Sequence, residues 1–207
     1  MLLDADDSQL VLVDYQTRLM PVIFENEQVI ANAVRLARMA QVMQVPVWAT
    51  EQNPDKLGPN VQPLQSVIEA AAGRTLAKMH FSAVADGLGE WLRPPVRKPV
   101  QGGNARSLPK HLQKAAPEEE EGRSMIVIAG CEAHVCLMQT ALDLLEEEFD
   151  VWVVTDACSS RTERNRDAAF DRLAGAGAEL VTTEMVAFEW LGSAEHPAFK
   201  EIHGLVK

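Results

Sequence analysis

The sequence predicts an α/β protein of three layers (α/β/α), in which helices cover both faces of a parallel sheet. Two observations lead to this fold class. Short runs rich in β-branched residues alternate with longer amphipathic segments, as in strand–helix–strand units. Several of these runs are apolar at nearly every position, which is typical of strands buried on both faces. The chain has 207 residues, enough for one domain over 1–207 with a full hydrophobic core.

Six segments have the composition of strands. In chain order they are 9–14, 45–50, 74–79, 124–130, 150–156 and 178–183. Connections between parallel strands of one sheet are right-handed almost without exception, so we expect right-handed crossovers.

Helical periodicity appears between several of these strands. After the first strand, apolar side chains recur at helical spacing at Val29, Ile30, Ala33, Leu36, Ala37, Ala40 and Met43. After Gly130, the same spacing relates Val135, Met138, Leu142 and Leu145. A Ser-x-x-Glu capping box at Ser160 and Glu163 predicts a helix that runs to about Leu173. The tail, HPAFKEIHGLVK, predicts a short amphipathic helix that packs on the domain or on a partner subunit.

One segment, 94–123, interrupts this alternation. It holds five prolines, a pair of glycines and four consecutive glutamates. We interpret it as a solvated connection between a helix near 83–92 and the fourth strand, with a short helix at 109–115. The alternative is a lid or an oligomer arm, because long loops in compact domains are often functional.

Charge and composition exclude several classes of function. A net charge of −11 opposes binding to nucleic acid or to an anionic membrane surface. The acidic start, MLLDADDSQL, lacks the basic and apolar regions of a signal peptide, and no apolar run approaches the ~20 residues that span a bilayer. Three cysteines are too few for a disulfide scaffold. We therefore expect a cytoplasmic protein with reduced thiols and a small-molecule partner.

Reactive side chains stand at the predicted strand ends, where open α/β sheets bind their ligands. Asp14 ends the first strand, Lys78 the third and Asp156 the fifth, and Cys136 lies about one turn into the helix after the fourth. Each has an ordinary structural explanation, and for Asp156 we favour a turn or cap. Together, an acid, a cation and a thiol indicate a nucleophile with its base and activator. A helix N-terminus would lower the pKa of the thiol.

The stretch GCEAHVCL (130–137) has two further interpretations. Its Cys-x2-His-x-Cys spacing offers three metal ligands, but no second Cys/His cluster follows to complete a zinc site. A redox pair of Cys131 with Cys136 is disfavoured because we expect Cys131 to be buried at the strand end.

The motifs resemble those of a known superfamily. Asp14 in VLVDYQ, Lys78 before HFS, and Gly130-x5-Cys136 are similar to the Asp–Lys–Cys triad of the isochorismatase-like cysteine hydrolases. Four segments resemble the branch of isochorismatase-domain-containing proteins, namely TEQNPDKLGP (50–59), GCEAHVCLMQTALDLLE (130–146), DACSSR (156–161) and HPAFKEI (196–202). The similarity runs in order from about residue 8 to 205.

The resemblance implies a six-stranded parallel, Rossmann-like sheet of order 3-2-1-4-5-6 and a catalytic triad of Asp14, Lys78 and Cys136. It further implies a cis peptide bond between Cys131 and Glu132, and an oxyanion hole made by the amides of Glu132 and Cys136. By their positions, Gln52, Phe81 and His134 are candidate substrate-binding residues. We also expect a homo-oligomer of at least two chains, as the resemblance implies, and no cofactor.

Two departures from relatives narrow the expected reaction. Nicotinamidases of this superfamily bind a metal through an Asp and a His-x-His pair after the second strand, where this chain reads ATEQNPDKLGP without His. Relatives that hydrolyse isochorismate lack the nucleophilic cysteine, which is present here. We therefore expect a metal-independent cysteine hydrolase acting on a small amide, carbamoyl or related C–N bond. The alternative is a non-catalytic small-molecule-binding or scaffold protein on the same fold.

Overall fold

Residues 1–93 and 122–207 are described in the computed structural model. They contain one six-stranded parallel sheet of order β3-β2-β1-β4-β5-β6, which confirms the predicted fold class and strand order. The strands are β1 Ser8–Val13, β2 Val47–Gln52, β3 Arg74–Lys78, β4 Met125–Gly130, β5 Asp150–Val154 and β6 Glu179–Val181. Nearly all of the predicted 94–123 segment, including the short helix at 109–115, lies outside the described residues.

Eight α-helices are found in the described ranges. They are α1 Asn26–Val42, α2 Pro54–Leu57, α3 Gln62–Ala70, α4 Leu88–Leu92, α5 Met138–Glu146, α6 Glu163–Gly175, α7 Thr183–Leu191 and α8 Phe199–Val206. Helix α1 packs against α3, α7 and α8, whereas α5 packs against α6. The two groups form the outer layers of the predicted three-layer arrangement. The amphipathic tail forms α8, and its Ile202 is buried in the core.

The predicted cap of α6 is wrong. The N-cap residue is Thr162, whose side chain accepts a hydrogen bond from the amide of Asn165. Ser160 is instead fully buried, and its hydroxyl contacts the His134 ring. The pattern placed the cap two residues too early because both residues have a hydroxyl and only tertiary packing distinguishes them.

The ends of several strands also differ from the prediction. The fifth strand stops at Val154, since Thr155–Ala157 forms a 3₁₀ turn. The sixth stops at Val181 because Thr182 caps α7 by accepting from the amide of Met185. Asp156 lies in this 3₁₀ turn, in keeping with the turn or cap role favoured from the sequence, and its Oδ1 accepts hydrogen bonds from the amide and hydroxyl of Thr183.

The centre of the sheet, between β1 and β4, is where the strand order reverses. Val13 and Gly130 face each other there as the last paired residues of the two strands. A Cβ at Gly130 would lie 2.5 Å from both Cβ and O of Val13, so only glycine allows the strands to approach this closely. The residues that follow both strands, Asp14 and Cys131, are thereby brought to one edge of the sheet.

No helix in the described ranges is long and apolar enough to cross a membrane.

Candidate active site

A buried ion pair lies at the carboxyl edge of the sheet. Lys78 Nζ, at the end of β3, is 2.8 Å from Asp14 Oδ2, just after β1, and neither side chain has any exposed surface. Removing two charges from water is costly unless each is compensated by its partner and by further hydrogen bonds. The two predicted residues are thus brought together across the intervening strand β2.

The carboxylate of Asp14 has different surroundings on its two oxygens. Oδ1 accepts a 2.6 Å hydrogen bond from Thr50 Oγ1. Oδ2 contacts Lys78 but accepts no hydrogen bond of good geometry from the described residues. The residue itself has a left-handed backbone, with φ of 56°. Such a conformation is uncommon outside glycine, though Asp adopts it more readily than most residues.

The ammonium group of Lys78 is enclosed by acceptors. It donates to Gln52 Oε1 at 2.7 Å and to the carbonyl of Phe81 at 3.0 Å, with the carbonyl of His80 at 3.4 Å. Gln52 also donates through Nε2 to the carbonyl of Met79 at 2.7 Å. The side-chain oxygen of Gln52 therefore binds Lys78, and its side-chain nitrogen binds the loop that follows β3.

The loop after β3 is organised by Asp86. Its Oδ2 accepts hydrogen bonds from the amides of Met79 and His80, both at 2.9 Å. The loop thereby directs the Phe81 carbonyl at Lys78, while the Phe81 side chain is 53% exposed. An exposed aromatic ring next to the ion pair is available for contact with a ligand.

Cys136 lies in a short π-helical turn, Ala133–Leu137, between β4 and α5. Burial raises the pKa of its thiol to about 12; the charge of Asp14 raises it further and that of Lys78 lowers it. The expectation of a lowered thiol pKa is therefore wrong, because desolvation outweighs the favourable charges. A thiol with this pKa is protonated at neutral pH, and the charges of Asp14 and Lys78 act on it in opposite directions.

The connection that leads to Cys136 has a cis peptide bond between Cys131 and Glu132, as the resemblance implied. No hydrogen bond from the Glu132 amide to the described part of the chain is found. The amides of Val135 and Leu137 donate back to the Glu132 carbonyl and close the turn around Cys136. A free amide beside the thiol is the feature that an oxyanion hole requires.

The side chains of Glu132 and His134 form a network with residues just before α6 and in its first turn. Glu132 Oε1 is 2.7 Å from Arg161 Nε. Nδ1 of His134 is 2.9 Å from Ser160 Oγ, and its Nε2 is 3.3 Å from Asn165 Nδ2. Both ring nitrogens of His134 thus have partners within the protein, and a substrate contact for it stays a prediction.

Two residues of this arrangement were missed from the sequence. Thr50 ends a predicted strand that neighbours the Asp14 strand in the sheet, and that position was the available signal. Asp86 had no such signal, since it lies inside a segment predicted as a helix. In the ranges 1–93 and 122–207, no group of three or more His, Cys, Asp and Glu side chains is placed to hold a metal ion.

The chain is similar to known proteins over nearly its full length. A model of the isochorismatase domain matches residues 109–185. Isochorismatase domain-containing protein 2 from Pongo abelii is 36% identical over 200 residues, which cover 97% of this chain and 83% of that protein. The chain therefore belongs to the isochorismatase family, which confirms the resemblance seen in its motifs.

Solved structures agree with this assignment. MAR1 ribonuclease from Caenorhabditis elegans aligns with a TM-score of 0.83 and 29% identity, covering 100% of this chain and 92% of that chain. YcaC from Pseudomonas aeruginosa, with hexane-2,5-diol and covalent acrylamide, aligns at 0.78 and 25%, covering 99% and 91%. The YcaC gene product of Escherichia coli, an octameric hydrolase of unknown specificity, aligns at 0.73 and 23%, covering 100% and 95%. The chain has the fold of isochorismatase-family hydrolases.

Proposed function

We propose that this protein is a metal-independent cysteine hydrolase that cleaves a small amide, carbamoyl or related C–N bond. The observation that carries the proposal is the buried Asp14–Lys78 ion pair acting on the thiol of Cys136. Because the thiol is neutral at rest, it needs a base to become a nucleophile, and Asp14 provides a carboxylate that is paired with Lys78.

In the first half of the reaction, Cys136 Sγ attacks the carbonyl carbon of the substrate while its proton passes to Asp14. The carbonyl oxygen becomes an oxyanion that accepts hydrogen bonds from the amides of Glu132 and Cys136. The C–N bond then breaks, and the leaving nitrogen takes the proton from Asp14. The amine departs, and an acyl thioester remains on Cys136.

In the second half, water hydrolyses the thioester. Asp14 accepts one proton from the water as its oxygen attacks the thioester carbon. The C–S bond breaks, the acid is released, and the proton returns from Asp14 to Cys136 Sγ. Asp14 therefore serves as base and acid in turn, while Lys78 stabilises negative charge on the carboxylate and on the sulfur.

Three residues are proposed to contact substrate: Gln52, Phe81 and His134. Of these, the half-exposed ring of Phe81 is the best placed to do so, since Gln52 and His134 already bond within the protein. The name of the Caenorhabditis elegans neighbour includes ribonuclease. The net charge of −11 weighs against RNA as a substrate here, because a polyanion would be repelled.

We extend the proposal to a cytoplasmic homo-oligomer. The octameric state of the Escherichia coli neighbour supports assembly of several copies. The three free cysteines in the described residues, all buried, are consistent with a reducing compartment.

Labelling with iodoacetamide followed by peptide mass analysis tests the nucleophile. We expect carbamidomethylation of Cys136 ahead of Cys131 and Cys158, which are more deeply buried. Cys136→Ala should abolish this label and all turnover on a panel of small amides and carbamoyl compounds. Cys158→Ala is the matched control and should retain both.

Preferential labelling of Cys131 or Cys158 would contradict the proposal. The alternative, a non-catalytic small-molecule-binding or scaffold protein, predicts a different pattern. It expects no turnover of any compound on the panel, together with ligand binding that Cys136→Ala leaves unchanged.

A further inference from the structure

We propose that Thr50 is a positioning residue that determines which oxygen of Asp14 acts as the base. This inference rests on the proposed function, since it assigns a role within the same proton transfer. Thr50 is fully buried near the end of β2, and its Oγ1 donates to Asp14 Oδ1 at 2.6 Å.

Thr50 restrains Asp14 through its backbone as well. Its carbonyl accepts a hydrogen bond from the amide of Asp14 at 3.3 Å and another from Asn60 Nδ2 at 3.2 Å. Thr50 therefore restrains Asp14 at two points: its carbonyl binds the Asp14 amide, and its hydroxyl binds the Asp14 carboxylate. A left-handed residue persists only where its surroundings restrain it in this way.

The division of partners between the two carboxylate oxygens decides their chemistry. Oδ1 accepts a hydrogen bond from Thr50 Oγ1, so one of its lone pairs is already in use. Lys78 has three N–H groups, and the acceptors around them are Gln52 Oε1 and the carbonyls of Phe81 and His80. Lys78 therefore interacts with Oδ2 through its charge and not through a hydrogen bond. The lone pairs of Oδ2 then remain available to accept the Cys136 proton.

Without the Thr50 hydroxyl, nothing distinguishes the two oxygens by hydrogen bonding. The carboxylate is then free to turn about its χ2 angle, and Oδ1 becomes a buried acceptor without a donor. Transfer of the thiol proton should become slower, although the ion pair with Lys78 is still present.

The test measures the rate of Cys136 alkylation by iodoacetamide at pH 7 in three variants. We expect Thr50→Val, which keeps the shape and removes the hydroxyl, to slow labelling at least about tenfold. Thr50→Ser keeps the donor and should stay within about twofold of the unmodified protein. Thr155→Val is the matched control, since it removes a threonine hydrogen bond to the carbonyl of Val181 and should leave the labelling rate unchanged.

A thermal unfolding scan of each variant separates loss of stability from loss of reactivity. If Thr50→Val does not fold, Thr50→Ala removes the same donor and provides the same comparison. Equal labelling of the variant lacking the hydroxyl and the unmodified protein overturns the role of Thr50 and leaves the proposed nucleophile standing. Absence of labelling at Cys136 in the unmodified protein overturns both.

Discussion

At the scale of single residues, the charge of Lys78 is the most demanding feature of the fold. Its ammonium group has no exposed surface and is balanced by one carboxylate, that of Asp14. A buried pair of this kind contributes little net stability compared with apolar residues, yet removal of one partner leaves a charge with no compensation. The loss of folding stability when one partner is removed therefore indicates how completely water is excluded from the site.

Lys78→Met should reduce the free energy of unfolding by about 3–5 kcal/mol, because the Asp14 carboxylate stays buried without its partner. Adding Asp14→Asn removes that charge and should recover a substantial part of the loss. Urea denaturation of the single and double variants measures both effects. Lys56→Met, at an exposed lysine of α2, is the control and should change stability by less than about 0.5 kcal/mol. A double variant less stable than Lys78→Met would contradict the explanation.

The identities of the site residues were largely predictable, but their partners were not. Asp14, Lys78 and Cys136 were chosen as candidates because the first two are reactive residues at strand ends and the third lies in the turn just after one. The roles of Gln52 and Thr50 depend on side-chain distances across the β2–β3 and β1–β2 pairs, which no local pattern contains. The thiol pKa was predicted in the wrong direction because burial, its largest cause, follows from tertiary packing.

At the scale of elements, the contact between β1 and β4 sets the geometry of the site. The two strands are close enough at Val13 and Gly130 that a Cβ on Gly130 would overlap backbone and side chain of its neighbour. Since β1 leads to Asp14 and β4 leads to the turn with Cys136, any separation of the strands displaces the base from the nucleophile.

Gly130→Ala should lower the free energy of unfolding by about 2 kcal/mol or more, since the extra methyl forces the strands apart. Gly204→Ala is the matched control: Gly204 lies inside α8 with no atom within 4 Å of the added Cβ. That change should stabilise the protein by about 0.5–1 kcal/mol through helix propensity. Thermal and urea unfolding compare the two, and equal effects of the two substitutions would rule out close approach as the cause.

Helix α7, Thr183–Leu191, illustrates why some elements were not predicted. One side buries Val186, Trp190 and Leu191, but Met185 and Phe188 are also large apolar residues and are 45% and 42% exposed. With apolar residues on both sides, the segment lacks the periodic contrast that identifies an amphipathic helix. The helix is specified by Thr182 at its N-cap and by packing against α1 and α8.

At the scale of the whole molecule, the negative net charge opposes the association of several copies of the chain. Each chain has a net charge of −11, so copies repel one another at long range. Salt screens this repulsion over a distance of about 8–10 Å at physiological ionic strength. An oligomer of this protein must therefore gain enough from local contacts to exceed the repulsion.

We expect light scattering after size exclusion to give a mass of at least two chains at physiological salt. Lowering the ionic strength to about 10 mM extends the range of repulsion to about 30 Å and should shift the population towards smaller species. A monomer at every protein and salt concentration would contradict the proposed homo-oligomer.

By itself, the sequence determined the α/β class and the six strands, and it nominated Asp14, Lys78 and Cys136 as candidates, because these depend on local periodicity and on residue type at or just after strand ends. Its similarity to a known family supplied the strand order. Only the tertiary structure showed the burial that raises the pKa of the thiol, the contacts of Thr50 and Gln52, and the cap of α6. The physical reason is that burial and hydrogen bonding are set by residues distant in the chain, which the parallel sheet brings to a single edge.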